Sequence, residues 1–281
     1  MAEIGRINRL KVVKELNFGL YLDGGEHGEI LLPVRYVPQD TKVGDELEVF
    51  VYFDSEDRII ATTEKPFAMV GDFALLRVVS VNAFGAFLDW GLAKDLLVPF
   101  REQKQSMQEG RWYMVRVYYD KASKRIAASA KLDAFLDNLP PDYKEGQEVD
   151  LIICSETELG YKAIVNKLHW GMLYKSEVFQ TLERGRNVKG FIKKVREDDK
   201  IDLSLTKPGY GKVDDISEKI LSYLRNNQGY MKVTDKSSPE LIYSLFGISK
   251  KAYKMAIGGL YRKGFVFLEE EGVRLIHEGA D

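Results

Sequence analysis

Up to about residue 205 the chain is built from short runs in which apolar and polar positions alternate. Leu47-Glu48-Val49-Phe50-Val51-Tyr52-Phe53 and Val115-Arg116-Val117-Tyr118-Tyr119 show the period of two expected of half-buried strands. Further on the period lengthens to that of a helix. Ile216, Ile220 and Leu224 form one helical stripe, and Ser237-Ser238-Pro239-Glu240 predicts a second helix with a serine cap and proline in its first turn. That helix carries Leu241, Ile242 and Leu245 and ends at Phe246-Gly247. Ser249 caps a third, with Tyr253, Ala256, Ile257 and Leu260 on its apolar side, and Gly264 stops it. Phe265-Val266-Phe267-Leu268, then Glu269-Glu270-Glu271-Gly272, then Val273-Arg274-Leu275-Ile276 predict a hairpin.

The strand-rich part repeats itself. Asn17-Phe18-Gly19-Leu20-Tyr21-Leu22-Asp23, Ala83-Phe84-Gly85-Ala86-Phe87-Leu88-Asp89 and Glu158-Leu159-Gly160-Tyr161-Lys162-Ala163-Ile164 read alike. The glycine of each is followed at a separation of 25 by a second, Gly44, Gly110 or Gly185. Each unit closes on a short strand: Arg58–Thr62, Arg125–Ser129 or Lys200–Leu205. About five short strands per unit predict a sheet closed into a small barrel, which removes exposed edges. The shared glycine is expected mid-strand, where it permits sharp coiling.

This order resembles the S1-type OB-fold, an RNA-binding domain. The middle unit carries the likeness most fully, in Val81-Asn82-Ala83-Phe84-Gly85-Ala86-Phe87-Leu88-Asp89-Trp90-Gly91, Asp95-Leu96-Leu97-Val98-Pro99 and Arg125-Ile126-Ala127-Ala128-Ser129. The resemblance implies that Phe84 and Phe87 stack on bases, with Pro99 where the family has a histidine. The matching residues are Phe18, Tyr21 and Pro33 in the first unit and Leu159, Lys162 and Tyr174 in the third, where Ser176-Glu177 keeps the family's Ser-Glu pair. Bases stack on any flat π-face, so exposed aromatics beside basic residues suit a single strand. Alternation turns Arg116 and Tyr118 away from the apolar side of their strand, and Arg125 closes the same surface. The competing reading makes Phe84 and Phe87 core residues.

Three helices with a short turn before the third, then a hairpin, resemble a winged helix-turn-helix. Its third helix offers Lys250, Lys251 and Lys254, with Arg262 and Lys263, to a phosphate backbone, but the acidic tip Glu269–Glu271 would repel one. Duplex DNA, auxiliary RNA contact and protein contact all stay open for this domain. The expected organisation is mainly β with an α+β C-terminus: three tandem S1-type OB-fold barrels at 1–65, 66–139 and 140–207 and a winged helix at 212–281, after a Gly/Pro-rich linker at 206–211. Together with Phe246-Gly247-Ile248-Ser249-Lys250-Lys251-Ala252-Tyr253-Lys254, it resembles the bacterial conserved virulence factor B family over nearly the whole chain. The resemblance implies RNA binding linked to regulation of gene expression.

Charge changes this picture only locally. The chain has 281 residues and a net charge of −2, and the four segments carry −5, +2, 0 and +1. A backbone-binding surface must therefore be local, and the first segment is the least suited to it. In the third, Arg184, Arg186, Lys189, Lys193, Lys194, Arg196 and Lys200 crowd about one hairpin; strand geometry would point Lys193 and Lys194 to opposite faces. No apolar run reaches the roughly 18 residues of a membrane span, and the N-terminus has no signal-peptide pattern. A single cysteine, Cys154, excludes an internal disulfide and a cysteine-rich zinc site and reads as a buried strand residue. His27, His169 and His277 have no neighbours at metal-ligand spacing, and no phosphate-cradling glycine loop is present. The expectation is a cytoplasmic, non-catalytic protein without cofactor, metal or small-molecule substrate. Its expected partner is single-stranded RNA. Against it stand a protein-interaction scaffold, a DNA-binding regulator acting through the winged helix and, more remotely, a magnesium nuclease using Glu197-Asp198-Asp199.

Overall fold

The computed structural model describes residues 1–175, 178, 181–206 and 213–276. Ser176-Glu177, the linker residues 207–211 and His277 lie outside them. The chain divides into two compact units, Met1–Leu136 and Asp137–Asp281.

In the first unit, β1 (Ile7–Leu16), β2 (Gly19–Asp23), β3 (Glu29–Pro33), β4 (Glu46–Phe53) and β5 (Ile59–Thr62) close into a barrel in the order β1-β2-β3-β5-β4. β6 (Phe73–Asn82), β7 (Gly85–Asp89), β8 (Leu96–Pro99), β9 (Trp112–Asp120) and β10 (Arg125–Ser129) follow in the order β10-β9-β6-β7-β8. This second sheet is not fully closed, contrary to expectation, because no hydrogen-bonded ladder joins β8 to β10. In the other unit, β11 (Glu148–Glu156), β12 (Gly160–Val165), β13 (His169–Tyr174), β14 (Asn187–Val195) and β15 (Ile201–Ser204) close as the first barrel does, through a parallel pairing of β13 with β15.

The repeat has a mechanical origin. Gly19, Gly85 and Gly160 open β2, β7 and β12 instead of lying mid-strand as expected, at φ of +155°, +152° and +155°, a conformation that L side chains rarely adopt. A Cβ on them would lie 2.2, 2.2 and 1.9 Å from the carbonyl oxygens of Leu32, Val98 and Leu173 on the next strand. The strand before each glycine carries a bulge, between Val12 and Lys14, Val78 and Ser80, and Ile153 and Ser155. The second glycine donates its amide to the carbonyl at that bulge: Gly44 to Val12 (2.8 Å), Gly110 to Val78 (2.8 Å) and Gly185 to Ile153 (2.7 Å). Both glycines are thus tied to one irregularity in the first strand, which fixes their spacing.

Alternation holds where only one face is buried. Val115 and Val117 point into the second barrel while Arg116 and Tyr118 face outward. In β4 it fails, because Phe50 and Tyr52 are buried as fully as Val49 and Val51. Their outer face covers the second barrel, where Trp90, 3% exposed, meets Phe50 and Tyr52 edge-on at 5.7 and 6.5 Å between ring centroids. Phe50, Tyr52 and Ile60 belong to one apolar cluster with Leu88, Trp90 and Val115, so the two barrels share a core.

The C-terminal domain packs α1 (Val213–Asn226), α2 (Pro239–Phe246) and α3 (Lys250–Arg262) against a three-stranded sheet of β16 (Tyr230–Met231), β18 (Val273–Leu275) and β17 (Val266–Leu268), in that order. Ser238 and Ser249 cap α2 and α3 as expected, each accepting a hydrogen bond at 3.2 Å from Leu241 N and Ala252 N. Gly247 ends α2 in the left-handed conformation. The buried side of α2 is Ile242 and Phe246; Leu241 and Leu245, assigned to it from the sequence, are exposed. In so short a helix the stripe is set by one i, i+4 pair, of which Phe246 stacks on Tyr253 of α3 at 5.6 Å and Ile242 joins the same apolar cluster.

Gly85→Ala is expected to destabilise the first unit by about 3 kcal/mol, combining backbone strain with a backbone clash. Gly44→Ala, where a Cβ meets nothing within 4 Å, is expected to cost only about 1 kcal/mol of strain. Urea unfolding followed by tryptophan fluorescence, with Trp90 as the buried reporter, measures both.

Candidate nucleic-acid interface

The β6–β7 turn is set by Asn82, whose Oδ1 accepts a hydrogen bond from Phe84 N at 2.8 Å. Phe84 therefore stands at the turn's tip, 74% exposed, and the core reading of this residue fails. Gly85 pairs with Pro99 and Phe87 with Leu97 across the β7–β8 ladder, while Ala86 and Leu88 point inward. A cleft of about 370 Å³ opens on this outer face, lined among others by Phe84, Phe87, Leu97, Lys94, Arg101 and Arg125.

Its cations are paired. Arg101 lies 3.2 Å from Asp120, Lys94 lies 3.4 Å from Asp57, and Arg125 bonds to Asp57 on the turn between β4 and β5 of the neighbouring barrel. Asp120 is held below the usual carboxylate range by the Ser123 hydroxyl and Ala122 amide, with Arg101 adding to them. Asp57 is likewise lowered: partial desolvation opposes ionisation, but the Arg125 hydrogen bond and the charges of Lys94 and Arg125 prevail.

Arg116 and Tyr118, expected beside the aromatic pair, lie elsewhere. They face outward, but Phe135 covers β9 there: the Arg116 guanidinium sits 4.9 Å from the Phe73 ring centre and 5.0 Å from that of Phe135, and Tyr118 packs on Phe135 at 5.8 Å. Arg116 Nε is buried without a hydrogen-bond partner. Burial lowers the Arg116 pKa, with Asp72 opposing the shift and Arg6 reinforcing it. The equivalent face of the first barrel carries an exposed Phe18 edge-on to Tyr21 (6.3 Å, 83°), with Lys14 Nζ 5.6 Å from the Tyr21 ring centre.

The third barrel uses the same face with different chemistry. A cleft of about 770 Å³ is bordered by Lys162, Trp170, Met172, Tyr174, Arg196 and Lys200, among others. Lys162 Nζ sits 3.7 Å above the Trp170 ring centre, and Arg196 bonds to the Tyr174 hydroxyl and to Asp202 (2.9 Å). One wall is the segment 137–141. Trp170 N donates to Asp137 Oδ1 (2.9 Å), and His169 Nε2 bonds to Leu139 O (2.8 Å). A carbonyl only accepts, so Nε2 donates, and in the neutral ring Nδ1 is left to accept from the Tyr143 hydroxyl at 2.8 Å. His169 is thus a buried fastener of this wall.

Lys193 and Lys194 lie outside that cleft; Lys194 borders a neighbouring hollow with Arg196 and Asp202. The register shifts between Ile192 and Lys194, so simple alternation no longer assigns the two lysines to opposite faces. In α3, Lys250 Nζ donates to Lys236 O (3.3 Å) and Lys254 pairs with Asp235 (3.4 Å), while Lys251 is exposed. Trp170, Arg101, Lys94 and Asp57 were missed in the sequence. Only Trp170 had a signal there, two strand positions before Met172 and four before Tyr174. Cys154 is buried, its thiol pushed up to about 12 by burial. Among the described residues no His, Cys, Asp and Glu cluster could hold a metal ion, and no helix is long and apolar enough to cross a membrane.

An S1 domain model matches residues 4–64 and 70–130, and a CvfB-like winged helix domain model matches residues 218–275. An uncharacterized protein of Bacillus subtilis, YitL, is 29% identical over 92% of this chain and 89% of its own length. Conserved virulence factor B of Staphylococcus epidermidis is 25% identical over 98% of this chain and 96% of its own. Among solved structures, a multidomain protein with nucleic acid binding domains from Streptococcus pneumoniae is 25% identical over 97% of this chain and 98% of its own, with a TM-score of 0.40.

Tyr143→Phe, which leaves His169 Nδ1 unpaired, is expected to destabilise the third barrel by about 1–2 kcal/mol. Hydrogen exchange at the Trp170 amide, which is anchored to the wall, is expected to accelerate and is read by mass spectrometry or NMR.

Proposed function

From its two S1 domain matches, its CvfB-like winged helix domain match and its similarity over nearly the whole chain to conserved virulence factor B, we propose that the protein binds single-stranded RNA without catalysing a reaction and acts in post-transcriptional or translational control. The observation that carries this reading is the β7–β8 cleft, where exposed Phe84 and half-buried Phe87 stand among Lys94, Arg101 and Arg125. Unstacked bases find π-faces there, and the backbone finds cations beside them. The first barrel adds Phe18 and Tyr21, and the third adds Trp170, Tyr174 and Lys162 in a wider cleft. Weak sites on one chain strengthen one another through effective concentration. Lys193 and Lys194 are assigned to backbone contact at the rim of the third barrel, and Arg116 and Tyr118 to support of the middle barrel under Phe135.

For the winged helix a protein contact is favoured over duplex DNA. Two of its three candidate lysines are engaged at 235–236, the wing tip is acidic, and Met255, Tyr261 and Phe267 are exposed.

Phe84→Ala with Phe87→Ala is expected to weaken binding of a labelled single-stranded RNA by about 2–6 kcal/mol, two stacked bases at about 1–3 kcal/mol each. Duplex DNA is expected to bind weakly in the same anisotropy titration. Unchanged RNA affinity in the double variant removes the middle barrel from the site.

A further inference from the structure

Arg125 and Lys94 face the aromatic pair across one cleft, yet both are held by a single carboxylate from the other barrel. Three observations mark Asp57 as a displaceable occupant. First, its turn is shaped by Asp54, whose Oδ1 accepts from the amides of Glu56 and Arg58 at 2.9 Å each and whose Oδ2 accepts from Arg58 Nε at 2.8 Å. The turn therefore does not depend on the Asp57 side chain. Second, the pair is exposed, at 55% for the Arg125 side chain and 40% for that of Asp57, and such ion pairs contribute little to stability. Third, Lys94 also donates to the Asp54 carbonyl at 2.5 Å, which keeps the ammonium in place when Asp57 leaves.

We propose that Arg125 and Lys94 form a phosphodiester subsite of the middle-barrel cleft and that Asp57 is its internal occupant, displaced when a strand docks. This rests on the RNA reading of the same cleft. A phosphate and a carboxylate both accept from a guanidinium fork, so one replaces the other at the same donors. The bases then lie toward Phe84 and Phe87, and the backbone lies toward the seam between the barrels. Asp57 lowers the affinity for any strand that cannot also stack, because every bound phosphate must first compete with it. It also flattens the salt dependence: the freed carboxylate recruits a cation and cancels part of the counterion release that binding causes.

The test titrates a labelled oligouridylate of about 20 nucleotides, longer than the ~4–16 that one OB-fold covers, into the full chain at several salt concentrations. Asp57→Asn keeps the left-handed turn residue (φ 59°), which asparagine tolerates, and removes only the charge. It is expected to tighten binding about two- to five-fold and to steepen the log–log salt slope by about 0.7 per phosphate newly felt. Arg125→Gln is expected to weaken binding, and Asp57→Asn added to it to restore little. Circular dichroism and thermal melting of each variant establish that it folds. Unchanged or weaker binding in Asp57→Asn, with Phe84→Ala/Phe87→Ala still weakening it, overturns the subsite and leaves the stacking cleft standing. Tighter binding in Asp57→Asn with no effect of the phenylalanine changes supports the subsite and removes the stacking reading. Absence of binding by every form of the chain overturns both.

Discussion

A glycine that cannot carry a Cβ sets the geometry of each barrel. At Gly19, Gly85 and Gly160 the strand turns so closely over its neighbour that a methyl group would overlap a backbone carbonyl. With no side chain there, the second strand coils tightly over the third, and the residue just before the glycine is pushed out at the rim. Phe18, Phe84 and Leu159 occupy that rim position, all exposed. The face best placed to receive a ligand is thus a by-product of the requirement that lets five short strands curl into a barrel.

What the face then offers is decided by side chains that the backbone does not dictate. The middle barrel keeps aromatic rings with cations nearby, but the cations are already matched to carboxylates. The modest positive charge of that segment therefore overstates what a phosphate backbone would meet. In the third barrel the exchange runs further, with a lysine laid over a tryptophan and an arginine shared between a tyrosine and an aspartate. Stacking and hydrogen bonding, rather than bulk charge, set the character of both clefts.

The fold was legible in the sequence where it depends on local rules. The serine caps of α2 and α3 and the buried side of α3 follow from backbone geometry within a few residues and appear where the pattern put them. The recurrent glycines were legible through their repetition, although they open their strands instead of lying within them. The site was legible only in part, because its remaining determinants are non-local. Asp57 and Arg125 are 68 residues apart in sequence. Arg116 faces outward as alternation requires, but nothing near it in sequence announces that Phe135 will cover it. Bulges erased the face assignment of Lys193 and Lys194, and the eight residues of α2 were too few to fix the phase of its stripe. One clue was present and unread: Val49 to Phe53 is an unbroken apolar run, the mark of a strand buried on both sides.

That run has a bearing on how the molecule can be divided. Phe50 and Tyr52 on one side and Trp90 on the other are each other's interior, so the stretch between the two matched S1 domains is not a hinge. A cut there would leave two fragments, each showing a wound of aromatic rings in place of a finished surface. Shuffling or duplicating a single barrel would carry the same penalty. Unlike beads on a string, the first two barrels can be inherited, expressed or engineered only as a pair.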